Sequence, residues 1–274
     1  NPYDVEISFK KDGFRKYNSK PNAKTKFLLI GDSYTQSVEV SDKKTFFNIW
    51  EDSLDINLFV YGMAGYGTFQ QLMILEKYLN EINPDVVMLQ YCANDFIDNY
   101  WKLEENSAYR VGLRRPYYSE NEGIIYKNPN SNTRKWFQWS AFFQLLDYTI
   151  GSRIRNKKGT SEFHIGQQGK EYPPFQKSID LTKKIIAKMK ETVGNERQFY
   201  IMAADGFFPQ LEEFRAICKE LDIWLMESGV HRMNEARDRG DVFHSRDGYH
   251  WNEYGHELVG QAVLGDLKLA SPNW

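Results

Sequence analysis

The chain lacks the features that define several common classes of protein. Its 274 residues include two cysteines, Cys92 and Cys218, which are too few for a disulfide framework or a zinc cluster. Its 35 basic residues are offset by 37 acidic ones, so the net charge of −2 gives no basic field for nucleic acid. No stretch approaches the roughly 20 apolar residues that span a bilayer. We therefore expect no nucleic-acid partner and no membrane span, in a chain long enough for one large domain.

Cellular location is less constrained by the sequence. Cys92 ends an apolar run and Cys218 lies in an amphipathic segment, so the default interpretation of both is a small buried apolar side chain. The chain begins with Asn1 rather than methionine, which we interpret as processing or trimming of a longer chain. Export and a cytoplasmic location therefore both stay open.

Short apolar runs alternate with helical patterns from Lys26 onward, which is typical of a parallel sheet covered on both faces. Amphipathic spacing predicts helices over residues 69–79, 179–189, 211–221 and 253–267. The alternation favours a single doubly wound α/β sheet. Its predicted strands cover residues 27–30, 58–61, 86–91, 199–203 and 223–226.

A long span between the third and fourth predicted strands interrupts this alternation. Residues 99–174 are too many for an ordinary loop, so we interpret them as an insertion with its own helix, which runs to about Ile154. Residues 1–25 are polar and form an N-terminal arm, followed by one domain over 26–274 that carries the insertion. Aromatic residues gather in the insertion: Trp136, Phe137, Trp139, Phe142 and Phe143.

The first predicted strand leads into Gly31-Asp32-Ser33, which is a candidate nucleophile turn. Ser33 lies beyond the carboxyl end of the strand, where ligands bind in doubly wound sheets, and just before a segment that can enter a helix. Gly31 permits a tight turn, and unpaired backbone N–H groups at the helix start can face a developing oxyanion. The alternative is that Asp32 or Ser33 merely caps the helix. The tripeptide alone favours the cap.

The ends of the next two strands carry further polar groups. Gly65 follows the second strand and can bring a backbone N–H to a bound carbonyl oxygen; the alternative is a plain tight turn. The surrounding glycines do not have the spacing of a dinucleotide-binding motif. Asn94 follows the third strand and can donate its amide N–H to an oxyanion, or else cap the next segment. Candidate groups at three successive strand ends are difficult to explain by capping alone.

Asp247 and His250 are the candidate acid and base, just before the last predicted helix. A carboxylate three residues away can hold the histidine in one tautomer on a bent loop. One alternative is a merely solvated loop. The other is a metal site formed by histidines and acids of this region, although their spacing does not place the histidines on one helix face. Its candidate ligands are His244, His250, His256, Asp241 and Asp247.

Taken together, these four stations resemble the SGNH, or GDSL-type, hydrolase superfamily, whose blocks supply a serine, a glycine, an asparagine and a histidine in this order. The matching residues are Ser33, Gly65, Asn94 and His250, and the resemblance covers about residues 26–98 and 175–270. One departure is Cys92, where the third block usually opens with glycine. The insertion lies outside the resemblance.

The resemblance implies a three-layer α/β/α sandwich with a five-stranded, flavodoxin-like parallel sheet, and ester chemistry without a cofactor or a metal. In that mechanism Ser33 attacks an ester carbonyl, His250 takes its proton and Asp247 orients His250. The oxyanion hole consists of the N–H groups of Ser33 and Gly65 with the side chain of Asn94.

The leading functional hypothesis is a serine esterase that removes a small acyl group, in particular acetyl, from a carbohydrate or other small ester. The aromatic insertion motivates the carbohydrate, because aromatic rings stack on sugars; packing against the domain is the alternative for most of these rings. An O-acetyltransferase that acts on a polysaccharide would use the same site. A non-catalytic carbohydrate-binding module that has kept the fold is the third hypothesis.

Overall fold

A five-stranded parallel sheet forms the centre of the molecule. A computed structural model of the chain describes residues 5–108, 114–127 and 159–271. The order in the sheet is β2-β1-β3-β6-β7, and every neighbouring pair is parallel. A separate antiparallel hairpin consists of β4 and β5. The strands are β1 (Thr25–Gly31), β2 (Ile56–Gly62), β3 (Val86–Tyr91), β4 (Arg115–Ser119), β5 (Gly123–Lys127), β6 (Gln198–Ala203) and β7 (Trp224–Met226).

Helices cover both faces of the sheet, which explains why every residue of β2 and β3 is buried. On one face α2 packs against α10, and α9 packs beside α10; on the other face α7 packs between α3 and α8. The helices are α1 (Ser33–Gln36), α2 (Phe46–Ser53), α3 (Thr68–Ile82), α4 (Asp95–Asp98), α5 (Trp101–Glu105), α6 (Ser161–Gln168), α7 (Pro173–Val193), α8 (Gln210–Glu220), α9 (Ser228–Asp238) and α10 (Glu253–Ala270).

This architecture confirms the predicted three-layer α/β fold. All five predicted strands form the sheet, and the four predicted helices correspond to α3, α7, α8 and α10. The sheet order is the flavodoxin-like one, in which the chain reverses direction of winding between β1 and β3. In such sheets a ligand site forms beyond the carboxyl ends of the strands at that reversal.

The N-terminal segment contributes to the core more than its polar composition indicates. Phe14 is fully buried, and its ring contacts those of Tyr17, Tyr61 and Tyr78 edge to face at 4.9–5.2 Å. Lys16 forms an antiparallel bridge with Val60 of β2. The described part of the predicted arm therefore packs onto the outer strand, although the division into arm and domain stays a prediction.

The described parts of the predicted insertion contain α5, the β4–β5 hairpin and α6. The aromatic cluster at Trp136, Phe137, Trp139, Phe142 and Phe143, and the predicted helix up to Ile154, lie outside the described residues. The role of these rings stays a prediction.

Both cysteines are buried with free thiols, in agreement with their interpretation as small core residues. Among the described helices, none has the length and apolar character needed to cross a membrane.

Candidate active site

Ser33 lies at the carboxyl edge of the sheet, just beyond the end of β1. β1 ends at Gly31, and Ser33 opens the single turn of α1, where backbone N–H groups have no partner within the helix. Asp32 is the N-cap of this helix, because its Oδ1 accepts the backbone N–H of Tyr34 at 2.9 Å. Helix capping therefore falls to Asp32 and leaves the Ser33 side chain available for other contacts.

Two glycines let this turn pack directly against its neighbours. A Cβ atom on Gly31 would lie 2.2 Å from Thr35 Oγ1, and one on Gly62 would lie 2.2 Å from the backbone nitrogen of Gln36. Any side chain at either position would push the helical turn away. Gly31 has no positive φ, so it supplies close approach rather than the special turn conformation that we expected from the sequence.

Gln90, on β3, supports the turn that carries Ser33. Its Oε1 accepts the backbone N–H of Asp32 at 3.1 Å and the hydroxyl of Thr35 at 2.9 Å. Gln90 is fully buried. Gln90 is not among the predicted site residues, although a lone amide inside an apolar strand is a signal for such a role.

The turn before α10 carries Asp247 and His250. Asp247 Oδ1 accepts the backbone N–H of Tyr249 at 2.8 Å, the backbone N–H of His250 at 3.0 Å and the hydroxyl of Ser245 at 2.8 Å. Burial by itself would raise the pKa of Asp247, but these donors and the His250 ring lower it to about 2. Asp247 is therefore ionised at neutral pH.

His250 bridges Ser33 and Asp247. Its Nε2 lies 2.8 Å from Ser33 Oγ, and its Nδ1 contacts Asp247 Oδ2. Because an ionised carboxylate can only accept, the neutral ring carries its proton on Nδ1 and leaves Nε2 to accept from the Ser33 hydroxyl. The three side chains form a continuous hydrogen-bond chain.

A second carboxylate meets the same ring nitrogen. Glu39 Oε1 lies 3.2 Å from His250 Nδ1, and the Glu39 side chain is 17% exposed. Burial raises the pKa of Glu39, and the His250 ring opposes that rise. Glu39 could not be predicted from the sequence, since no motif surrounds it and it lies far from His250 along the chain.

Aromatic contacts attach the turn to the nucleophile side. The Tyr34 hydroxyl donates to the carbonyl of Tyr249 at 3.1 Å, and its ring lies 5.3 Å from the His250 ring and 4.7 Å from that of Trp251. Trp251 is 1% exposed. Residues 246–249 are exposed, but the segment is more than a solvated loop, because its end is anchored in the core.

Gly65 follows β2 with a φ of 76°, a conformation that favours glycine. The N–H of Ala64 donates to Gln36 Oε1 at 3.1 Å, which attaches this loop to α1. The Gly65 carbonyl accepts from the guanidinium of Arg115. Within the described residues, the Gly65 N–H donates to no backbone or side-chain acceptor, so it is available to a ligand.

Asn94 follows β3, and its side chain does not cap the next helix. Its Nδ2 instead donates to Asp98 Oδ2 at 2.8 Å. The capping alternative is therefore wrong, and the second hydrogen of the amide remains for another acceptor. Because β2 and β3 flank β1, Gly65 and Asn94 follow the strands on either side of the one that ends at the Ser33 turn.

The fold accommodates Cys92 at the position where the resembled family usually has glycine. Its thiol donates to Asp205 Oδ2 at 2.9 Å, and the N–H of Ala93 donates to the same carboxylate at 3.2 Å. Burial raises the pKa of Asp205 to about 6. Asp205, which is not among the predicted site residues, thus holds the turn that leads to Asn94.

The proposed three-histidine metal site fails at His256, which is 1% exposed. Its Nδ1 accepts the backbone N–H of Phe46 at 3.3 Å, and burial lowers its pKa to about 3, so the ring is neutral and committed to the core. Within the described part of the chain, the donor atoms close enough to share an ion belong to Glu39, Asp247 and His250. These are the same atoms that form the hydrogen bonds around the His250 ring.

Among the solved structures compared, that of TesA supports the fold. The structure of TesA superposes with a TM-score of 0.50 at 12% identity, covering 89% of this chain and 98% of that one. The esterase EstA from Pseudoalteromonas sp. gives 0.49 at 12% identity, with 91% and 100% covered. A lipase/acylhydrolase from Enterococcus faecalis gives 0.49 at 14% identity, with 90% and 96% covered. No curated protein matches the chain.

A family model described as GDSL-like lipase/acylhydrolase matches residues 27–263. The match begins in β1 and ends within α10, so it includes every strand of the central sheet. With so much of the fold inside the match, the chain belongs to the GDSL-like lipase/acylhydrolase family of carboxylic ester hydrolases, as its four stations predict.

Proposed function

We propose that Ser33, His250 and Asp247 form the catalytic triad of a serine esterase that removes a small acyl group, in particular acetyl, from a carbohydrate or another polar alcohol. The observation that carries the proposal is the hydrogen-bond chain through His250, with 2.8 Å between Nε2 and Ser33 Oγ and with Asp247 at Nδ1. A nucleophile, a base and an orienting acid in this order are what acyl transfer requires.

The reaction follows from these contacts. Ser33 Oγ attacks the ester carbonyl carbon while His250 Nε2 takes the hydroxyl proton, and Asp247 stabilises the imidazolium that forms. The tetrahedral intermediate collapses to an acyl-enzyme when Nε2 returns that proton to the departing alcohol. Water then repeats the attack, with His250 again as the base, and releases the carboxylic acid.

Three donors receive the oxyanion in this proposal: the backbone N–H groups of Ser33 and Gly65 and the side-chain amide of Asn94. Each is a neutral donor held at a strand end, so little reorganisation is needed when negative charge develops. Removal of one such donor costs about 10²–10³ in turnover in enzymes of this kind.

The choice of a polar alcohol rests on the side chains around the triad. The described groups next to His250 include the carboxylates of Glu39 and Asp247, and the neighbouring residue Tyr249 is 50% exposed. Such surroundings favour a hydroxyl-rich leaving group over a long apolar chain, and an exposed ring can stack on a sugar.

The triad is tested by hydrolysis of p-nitrophenyl acetate. Ser33→Ala and His250→Ala should each lower kcat by at least about 10³-fold. His231→Ala, at an exposed histidine of α9, is the matched control and should retain wild-type turnover. Wild-type turnover in Ser33→Ala would disprove the assigned nucleophile.

Two further assays test the substrate. Across p-nitrophenyl acetate, butyrate and octanoate, kcat/KM should fall as the acyl chain lengthens; faster hydrolysis of octanoate would leave an esterase but exclude the small acyl group. With an acetylated polysaccharide as the donor, released acetate indicates hydrolysis. Acetyl found instead on an added polysaccharide acceptor would identify an O-acetyltransferase, because both reactions share one acyl-enzyme.

A further inference from the structure

The β4–β5 hairpin places a buried arginine side chain beside the candidate oxyanion hole. Arg115, the first residue of β4, has a side chain that is 9% exposed. Its Nη2 lies 2.7 Å from Asp98 Oδ1 and 2.5 Å from Glu104 Oε2. The Tyr117 hydroxyl donates to the same Glu104 oxygen at 2.5 Å. A guanidinium that is removed from water needs such partners, and its fork geometry fixes the direction of each bond.

The same guanidinium binds the loop that carries Gly65. Its Nη1 donates to the Gly65 carbonyl, while Nη2 also donates to the carbonyl of Asp98 at 3.1 Å. Gly65 has no side chain to restrict its dihedral angles, and its φ of 76° is one of several that glycine adopts readily. The hydrogen bond from Arg115 therefore restricts the rotation of the peptide next to the proposed N–H donor.

Asp98 extends this contact to the other donor. Its Oδ1 receives Arg115, and its Oδ2 receives the Nδ2 of Asn94 at 2.8 Å. An amide nitrogen has two hydrogens in one plane, so the bond to Asp98 sets the direction of the second hydrogen. Without a fixed Asp98 carboxylate, the Asn94 amide could rotate about its terminal bond.

We infer that Arg115, acting with Asp98, is a positioning residue that fixes both donors contributed by the strands flanking β1. The inference rests on the proposed function, since it concerns the oxyanion hole of that same site. It assigns a task to the insertion, which lies outside the motifs of the family. Arg115 touches neither Ser33 nor His250 among its described contacts, so the effect should appear in transition-state stabilisation and leave proton transfer unchanged.

Substitution of Arg115 gives the first test. Arg115→Met should lower kcat on p-nitrophenyl acetate by about 10–100-fold, less than loss of a donor outright, with KM within about twofold. The kcat of Arg115→Lys should lie between those of the wild type and Arg115→Met, because one ammonium group cannot reproduce both hydrogen-bond directions of the guanidinium. The pH dependence of kcat should keep its shape, as the acid–base pair is untouched.

A matched control separates positioning from loss of fold. Lys16 and Glu51 form another ion pair of low exposure, 16% and 9%, that contacts none of the proposed catalytic groups. Both Lys16→Met and Arg115→Met should lower the melting temperature, because each breaks an ion pair of low exposure. Lys16→Met should nevertheless keep wild-type kcat. Equal loss of kcat in both variants, wild-type kcat in Arg115→Met, or a raised KM with unchanged kcat would each overturn the inference.

A double-mutant cycle tests the route through Asn94. In an Asn94→Ala background, Arg115→Met should cost several-fold less than in the wild type, because part of its effect passes through the missing amide. Fully multiplicative effects would contradict the coupling.

The inference can fail independently of the proposed function. If wild-type protein hydrolyses no ester, the function fails, and nitrogen-15 NMR of the side-chain amide of Asn94 and the backbone amide of Gly65 still tests the positioning. Both signals should shift or broaden in Arg115→Met and stay unchanged in Lys16→Met. Unchanged signals in Arg115→Met would overturn the inference.

Discussion

The half of the site that carries Ser33, Gly65 and Asn94 follows three buried strands, whereas the half that carries Asp247 and His250 lies in a turn open to solvent. On the strand side, the supporting residues Asp32, Thr35 and Gln90 are fully buried. On the turn side, the Asp247 side chain is 40% exposed and that of His250 is 26% exposed. The proposed nucleophile and oxyanion donors are thus held by the fold itself, and the proposed base is held by local hydrogen bonds.

This difference teaches which changes should affect stability and which should affect chemistry alone. Groups on the strand side lie within tight packing, so substitutions there disturb the core as well as the site. Groups on the turn side are bound mainly to one another, so their removal should change turnover with a small change in the free energy of unfolding.

The largest expected effect is on the turn side, from Asp247→Asn. The new amide can still accept the backbone N–H groups of Tyr249 and His250, so the melting temperature should change little. It cannot hold the proton of His250 on Nδ1 as a carboxylate does, so kcat should fall by about 10³–10⁴-fold. Steady-state kinetics and thermal melts check both parts. A loss below tenfold would mean that Asp247 does not orient His250.

On the strand side, Gly62→Ala should lower the free energy of unfolding by about 3 kcal/mol, at the upper end of the range for overpacked sites. Its Cβ would lie 2.2 Å from the Gln36 nitrogen and 2.4 Å from the Thr35 carbonyl carbon, and backbone atoms cannot move aside. Gly265→Ala, in α10 with nothing within 4 Å of its Cβ, is the matched control and should be neutral or stabilising. Urea denaturation that gives equal stability for Gly62→Ala and wild type would contradict the tight packing.

The buried ring of His256, in α10, predicts that stability depends on pH. Its pKa in the folded state is lowered to about 3 from an ordinary 6.5, so folding favours the neutral ring. The stability that this provides is complete above pH 6.5 and is lost as the pH falls from 6.5 towards 3. His256→Asn keeps a neutral acceptor for the Phe46 N–H and does not titrate.

The stability of wild type relative to His256→Asn should therefore fall with decreasing pH, at a slope approaching about 1.4 kcal/mol per pH unit. Urea denaturation of both proteins at several pH values measures this difference. The contributions of the titratable groups that both proteins share cancel in it. A difference that does not depend on pH would place His256 outside the core.

The smallest expected effect comes from Glu39→Gln. Glu39 shares Nδ1 of His250 with Asp247 but lies farther from it, at 3.2 Å. With Asp247 intact, the variant should retain its fold and lose roughly 2–10-fold in kcat, as expected for a supporting charge near the imidazolium. A loss as large as that of Asp247→Asn would reassign the orienting role to Glu39.

Local patterns sufficed for the sheet and for the stations on it. Apolar runs predict the five strands because a parallel sheet buries both faces of each strand, and residues just beyond those runs must reach one common edge. Several helices were missed for a local reason: α2 and α6 span eight residues each, α4 and α5 are shorter still, and α9 is mostly polar. Phe14 was missed because its neighbours in sequence are polar, and its place in the core depends on contacts with distant residues, among them Tyr61 and Tyr78.

The supporting groups of the site could not be predicted in the same way. Glu39, Arg115 and Asp205 act through contacts with residues far away in the chain, and no spacing rule connects them to their partners. Arg115 in particular lies in a segment whose sequence resembles no motif, yet its guanidinium contacts the Gly65 carbonyl and Asp98, which in turn accepts from Asn94. Such contacts depend on how the hairpin packs, which local sequence does not determine.

The central claim, that Ser33 is the nucleophile activated across the two halves, is tested most directly by labelling with a fluorophosphonate and locating the adduct by mass spectrometry. We predict one adduct per chain, on the peptide that contains Ser33, absent from Ser33→Ala and formed at least about tenfold more slowly in His250→Ala. A folded protein that is not labelled, or that carries its adduct on another residue, would contradict the account.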